Sequence, residues 1–170
     1  MGMINMVPVA AIAMALAACG GEASAPAEQP ASSLGAGLYE LSAEVTELAA
    51  TEKDAPATKL KLGEKQVIRA CVSSDGKPTP ELLAEAGDKC QVKDSYVRNG
   101  RINQQLSCTR KGVDGQINPA IDGTFKADSF EGKITTNTYI YNAGDYRLVR
   151  QVTARRVGDC PPEGDAKTAS

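Results

Sequence analysis

The stretch from Lys89 to Lys111, KCQVKDSYVRNGRINQQLSCTRK, decides how the rest of the chain is read. It has the pattern of a β-hairpin clamped by cysteines. Arg98-Asn99-Gly100 is the kind of Gly-ended loop that closes a hairpin through a type I turn and a bulge. With those three residues as the loop, Val97 faces Arg101 and the register follows by counting outward. Cys90 then falls opposite Cys108, Val92 opposite Leu106, Asp94 opposite Gln104, and Tyr96 opposite Ile102. Apolar residues meet on one face, while Gln91, Lys93, Ser95, Asn103, Gln105 and Ser107 take the other. A one-residue slip would scatter that face, so the pattern supports the register.

The N-terminus supplies an address. Val7 to Leu16 is an apolar run too short for a bilayer core, which needs about 20 residues, but suited to the h-region of a secretory signal. Leu16-Ala17-Ala18-Cys19 resembles the lipobox of bacterial lipoproteins, in which the cysteine becomes the acylated N-terminus. The run departs from the usual pattern in having no Lys or Arg before it, which points to a start codon upstream or to a misassigned one among Met1, Met3 and Met6. Several acyl chains on Cys19 would hold the protein on its membrane, since two chains suffice for stable anchoring. Gly20 at the next position implies, by resemblance to enterobacterial sorting, the outer membrane, with the protein facing the periplasm.

The expected organisation is a signal peptide over 1–18, a lipidated flexible tether over 19–36, one β-rich domain over 37–160 and a polar disordered tail over 161–170. The tether is rich in Ala, Ser, Pro, Gly and Glu and has almost nothing to bury. A domain of about 120 residues holds a modest core.

With Cys19 set aside, Cys71, Cys90, Cys108 and Cys160 form an even set in an exported chain, which points to two disulfides. The hairpin register pairs Cys90 with Cys108 and leaves Cys71 for Cys160. No CxxC spacing and no His are present, so zinc and thioredoxin-like chemistry are disfavoured, and no cofactor is expected.

Within the domain, Leu38 to Ala50 fits both helical and strand periods and is read as a strand because its surroundings are strongly β. Lys59–Leu62 and Gln66–Val72 are β-prone pieces. Thr79-Pro80 has the form of an N-cap with Pro at N1, opening a short helix through Leu82, Leu83 and Ala86 that stops at Gly87. After the hairpin come a turn at Gly112–Gly115 and strands near Ile117–Phe125, Phe130–Tyr141 and Tyr146–Val157. Short turns between consecutive strands make an antiparallel meander. The fold class is therefore mainly β: a curved sheet or incomplete barrel, with one short helix covering its open side.

Four segments, Gly37-Leu38-Tyr39-Glu40, Cys71-Val72-Ser73, Asp122-Gly123-Thr124-Phe125 and Arg155-Arg156-Val157-Gly158-Asp159-Cys160, together resemble the bacterial domain-of-unknown-function family numbered 3617. The resemblance covers Gly37 to Cys160, and Gly-Asp-Cys is its most specific piece. Many members carry Trp where this chain has Tyr39. The resemblance implies small exported proteins, often lipoproteins, and no catalytic residues.

A net charge of −2 excludes nucleic acid as an expected partner, and Arg147, Arg150, Arg155 and Arg156 read as a solvated strand. Hydrolytic triads need a base beside the nucleophile, and His is absent. Asp114, Asp122, Asp128, Asp145 and Asp159 fall at turns, where Asp caps the backbone. Tyr139 and Tyr141 are too few to make a stacking platform. The candidate ligand-binding residues are Asp94, Gln104, Tyr96 and Arg150, polar anchors on an otherwise apolar face. The expected function is a non-enzymatic envelope module that binds another envelope protein or a small apolar ligand, the alternative being a carboxylate-dependent enzyme acting on envelope components.

Overall fold

The computed structural model describes residues 31–161, so the leader, Cys19, most of the tether and the tail beyond Pro161 lie outside it. Seven strands and one helix follow in order: β1 Gly37–Ala50, β2 Lys65–Val72, α1 Pro80–Leu83, β3 Asp88–Arg98, β4 Arg101–Arg110, β5 Val113–Lys126, β6 Ser129–Ile140 and β7 Tyr146–Gly158. They form one sheet in the order β2-β1-β7-β6-β5-β4-β3, antiparallel throughout and curled into a half-barrel. β3 to β7 are the expected meander. β1 then docks on β7, which leaves β2 and β3 as the two free edges. α1 lies between those edges and touches both.

Period-two burial shapes the barrel wall. Tyr39, Leu41, Ala43 and Val45 of β1 turn inward, which settles the ambiguous segment as a strand. Tyr146, Leu148, Arg150, Val152 and Ala154 do the same on β7. The main core is built from these faces, from Ile102, Leu106, Ile117, Ile121 and Ile134, and from Leu82 and Leu83 of α1. A smaller cluster of Val45, Leu60, Ile140, Tyr146 and Leu148 lies toward the end where Ala50 pairs with Tyr146. The concave side is therefore filled by side chains. Gly123 faces Gly132 across β5 and β6, and a Cβ on either would meet the opposite strand's carbonyl oxygen at 2.1 or 2.4 Å. The Asp-Gly-Thr-Phe segment thus owes its glycine to close strand approach.

Both cysteine pairs form as expected, Cys90 with Cys108 and Cys71 with Cys160. The hairpin, however, closes differently. Arg98 pairs with Arg101, so the loop is the two residues Asn99 and Gly100, both at positive φ (54° and 71°), as a type I′ turn requires. Val97 consequently faces Ile102, Tyr96 faces Asn103, and Asp94 faces Gln105 rather than Gln104. A bulge at Lys93 absorbs the extra residue and restores Val92 opposite Leu106 and Cys90 opposite Cys108.

Other expectations also shift. α1 ends at Leu83, because Ala84 is already extended, and Thr79 makes no side-chain cap bond. Lys59–Leu62 is a loop that sends Leu60 into the smaller cluster. β5 begins at Val113, inside the expected turn. Residues 31–36, expected to belong to the tether, pack on the domain: Leu34 is 2% exposed in the main core, and Gly35 N–H donates to Ala127 O. No helix among the described residues is long and apolar enough to cross a membrane.

Candidate functional site: a buried charge cluster beneath a groove

Counting outward from Cys90 and Cys108 brings Asp88 opposite Arg110, at the end of the hairpin away from its turn. Arg110 grips both Asp88 oxygens, Nε to Oδ1 at 2.6 Å and Nη2 to Oδ2 at 3.1 Å. Its Nη1 donates to Ala57 O at 2.8 Å, and Nη2 also lies 3.2 Å from Glu85 Oε2. The other Glu85 oxygen accepts a bond from the Tyr146 hydroxyl at 2.8 Å, and the Thr58 hydroxyl donates to Oε2. The side chains of Asp88 and Glu85 are 0% and 5% exposed. Loop 51–64, the segment after α1, the hairpin base and the start of β7 therefore converge on two buried carboxylates.

Burial raises Asp88 above its ordinary value, and outweighs the downward pull of the Arg110 bonds. The Tyr146 hydroxyl is pushed up by burial and then by the Glu85 charge. Burial alone would lower Arg110, but its bond to Asp88 and the Glu85 charge carry it above its ordinary value. Arg150, fully buried on β7, is lowered by desolvation against the upward pull of Glu85, Tyr146 and Asp88. Two arginines and two carboxylates balance in charge, the condition under which ions persist in an interior.

Above this floor lies a groove between β2 and the segment that follows α1. Its two adjoining hollows measure about 510 and 430 Å³ and share Gln66, Glu85, Ala86 and Gly87. Asp88 approaches the sulfurs of Cys90 and Cys108 to within 4.8 Å, but both sulfurs are spent in a disulfide and offer a metal no thiolate.

The four candidate ligand residues separate into two pairs. Gln104 and Arg150 are fully buried; Gln104 Nε2 donates to Pro78 O, just before α1, at 2.9 Å, and Arg150 Nη2 donates to Leu83 O at the end of α1. Ser95 donates to the Gln104 oxygen at 3.0 Å. Nε and Nη1 of Arg150 have no partner among the described residues. Asp94 and Tyr96 instead point outward on β3, where the changed register puts them, and the Arg98 guanidinium lies 5.3 Å from the Tyr96 ring. Tyr139 and Tyr141 are exposed, and Arg147, Arg155 and Arg156 are paired with Glu47, Glu40 and Asp159.

Sequence reasoning missed Glu85, Asp88, Arg110, Tyr146 and Thr58. One signal was within reach, because the correct pairing of Cys90 with Cys108 places Asp88 and Arg110 as partners two rungs further out. A family model described as a protein of unknown function, DUF3617, matches residues 30–160. No curated protein and no solved structure matches the chain.

Proposed function

Because this chain belongs to the DUF3617 family, whose description assigns no activity, we propose from its own chemistry that it is a lipid-anchored, non-enzymatic binding module of the bacterial cell envelope. The groove between β2 and the segment after α1 is its binding surface. One observation carries this reading: the groove is open, while each oxygen of the carboxylates at its floor is already held by Arg110, Tyr146 or Thr58. A general acid or nucleophile needs an oxygen free to reach substrate. These oxygens fasten loops instead.

The alternative, a carboxylate enzyme, draws on the closeness of Glu85 and Asp88, which share Arg110. Their burial speaks against it. Of the two ligand classes, the packed concave face favours a protein partner over a small apolar molecule, since Leu82 and Leu83 occupy the space such a molecule would take.

The lipid anchor rests on Leu16-Ala17-Ala18-Cys19. Residues 31–36 run past the hairpin turn, where Gly100 N–H donates to Ala31 O, whereas the groove lies at the opposite end of β4 beside Arg110. The position of Ala31 supports an anchor that leaves the groove open to the periplasm.

An alkyne-tagged fatty acid is expected to label the wild-type chain in cells and to spare Cys19→Ala. A photo-cross-linking residue at Ala86 is expected to give protein adducts that the same residue at Gln151, on the outer face, does not. Label on Cys19→Ala, or equal adducts at both positions, overturns the reading.

A further inference from the structure

We infer that the free edge of β2 is a docking site for an extended strand of a partner protein, which adds to the sheet inside the groove and carries acidic side chains on its outer face. This deepens the binding-module reading and rests on it. In an antiparallel pair, the peptide groups of successive residues point alternately toward and away from the neighbouring strand. Thr79 N–H donates to Cys71 O at 3.0 Å and Ser73 N–H to Lys77 O at 2.9 Å, so the odd-numbered residues at the end of β2 turn away from β1. The β1–β2 register runs without a shift from Lys65 to Val72, so Val67 and Arg69 turn the same way. Lys77–Thr79 covers only the Cys71 end. Among the described residues, nothing pairs with the backbone N–H and C=O of Val67 and Arg69, and Val67 lines the 510 Å³ hollow.

The other edge is the better protected of the two. β3 carries a bulge at Lys93 and the charges of Lys89, Lys93, Asp94 and Arg98, the devices that blunt a sheet edge. β2 carries the charges of Lys65 and Arg69 but neither proline nor bulge, and Leu62 just before it and Val67 on it, at 67% and 65%, are the most exposed large aliphatic side chains among the described residues. A second copy fits poorly. Self-pairing centred on Val67 would set Lys65 opposite Arg69 of the other copy, twice over, and like charges directly opposed repel. Lys65 and Arg69 already pair with Glu44 and Glu40 of β1, at 3.5 and 2.6 Å, but through solvent-exposed bridges of little worth, so a strand with acidic residues at those two rungs and apolar residues between them competes for both cations. Unpaired main-chain groups supply affinity and the alternating side chains supply selectivity, as in other strand-addition complexes.

The probe is the peptide acetyl-Thr-Glu-Val-Val-Thr-Glu-Thr-amide, with a control in which both Glu are Lys, titrated against the disulfide-intact full chain. Binding is expected to slow amide exchange at Val67 and Arg69 by about tenfold or more. The Lys peptide is expected to bind at least about tenfold more weakly. Val67→Pro removes an N–H that pairs with nothing in the fold, and edge strands accept proline, so this variant should fold and lose the peptide. The exchange readout needs no variant. No protection at Val67 and Arg69 with saturating peptide, or unchanged binding by Val67→Pro, overturns the proposal. A dimer in sedimentation that Val67→Pro dissociates overturns it in favour of self-pairing. Adducts at Ala86 without protection at Val67 would remove edge pairing alone, whereas loss of the Ala86 adducts would remove the groove itself.

Discussion

Arg110 holds both carboxylate oxygens of Asp88, at 2.6 and 3.1 Å, and the Asp88 side chain is wholly shielded from water. The same guanidinium reaches Glu85 and the carbonyl of Ala57, so one side chain ties the base of the hairpin to two loops. Removing it strands two buried anions. Arg110→Met is expected to lose about 3–5 kcal/mol of stability, a fall in melting temperature of roughly 10–25 °C. Arg110→Lys keeps the charge but not the two-pronged grip, and should fall between the two. Urea titration and calorimetry check both, and a wild-type-like Arg110→Met would show the cluster to be dispensable.

Two carboxylates should respond to pH with opposite signs. Asp88 is raised by burial, so the folded state binds its proton more readily than the unfolded state. Its contribution is fully present below the unfolded value of 3.8 and is lost as pH rises through the higher folded value. Glu40 is lowered by its bonds to Arg69 and then Arg155, so its contribution is present above the unfolded value of 4.5 and is lost as pH falls. Stability curves of Asp88→Asn and Glu40→Gln against the wild type between about pH 3 and 6 should therefore diverge in opposite directions. Parallel curves would dismiss the assignment.

Tyr39 offers an alkaline marker. Its hydroxyl donates to Gly35 O at 2.9 Å, and burial followed by the Asp128 charge pushes its pKa up to about 12. The stability it contributes is present below the unfolded value of 10.0 and is lost as pH rises through about 12. An ultraviolet titration should show a late phenolate component that Tyr39→Phe deletes. Its survival in that variant would assign the late component to Tyr146, which burial also raises.

The two disulfides should be unequal. Cys90–Cys108 closes a separation of 18 residues and Cys71–Cys160 one of 89. In the chain-entropy view these constrain the unfolded chain by about 3 and about 4–5 kcal/mol. Cys71→Ala with Cys160→Ala is expected to be the more damaging double replacement, as read by denaturant midpoint. Mass mapping of the non-reduced chain checks the connectivity.

The alternation along β4 and β7, and the turn signals between β5, β6 and β7, made the meander legible from the residues alone. Cys90 and Cys108 could be paired because apolar faces must match. The hairpin turn departs from the expectation because Asn99, like Gly100, tolerates positive φ, so a two-residue loop plus a bulge imitates a three-residue loop at the cysteine rungs. That single slip transferred Asp94 and Tyr96 to the outside. Gln104 and Arg150 both turn inward, which corrects the reading of Arg150 as one of four solvated arginines on β7: its side chain alternates with Leu148 and Val152 on the core face. That the two brace α1 depends on a crossover whose path no local pattern encodes. Glu85 and Tyr146 meet from positions 61 residues apart, a distance over which periodicity carries no information.

β1 lies between β2 and β7, its two neighbours in the sheet. In a chain threaded through a translocon N-terminus first, the opening strand must wait for the closing one. Cys71 would also reach an oxidising compartment long before Cys160, with Cys90 and Cys108 arriving in between as earlier and incorrect suitors. A chain exported in that way would lean on a thiol isomerase during biogenesis, and its yield would then track that enzyme even where the finished fold is robust.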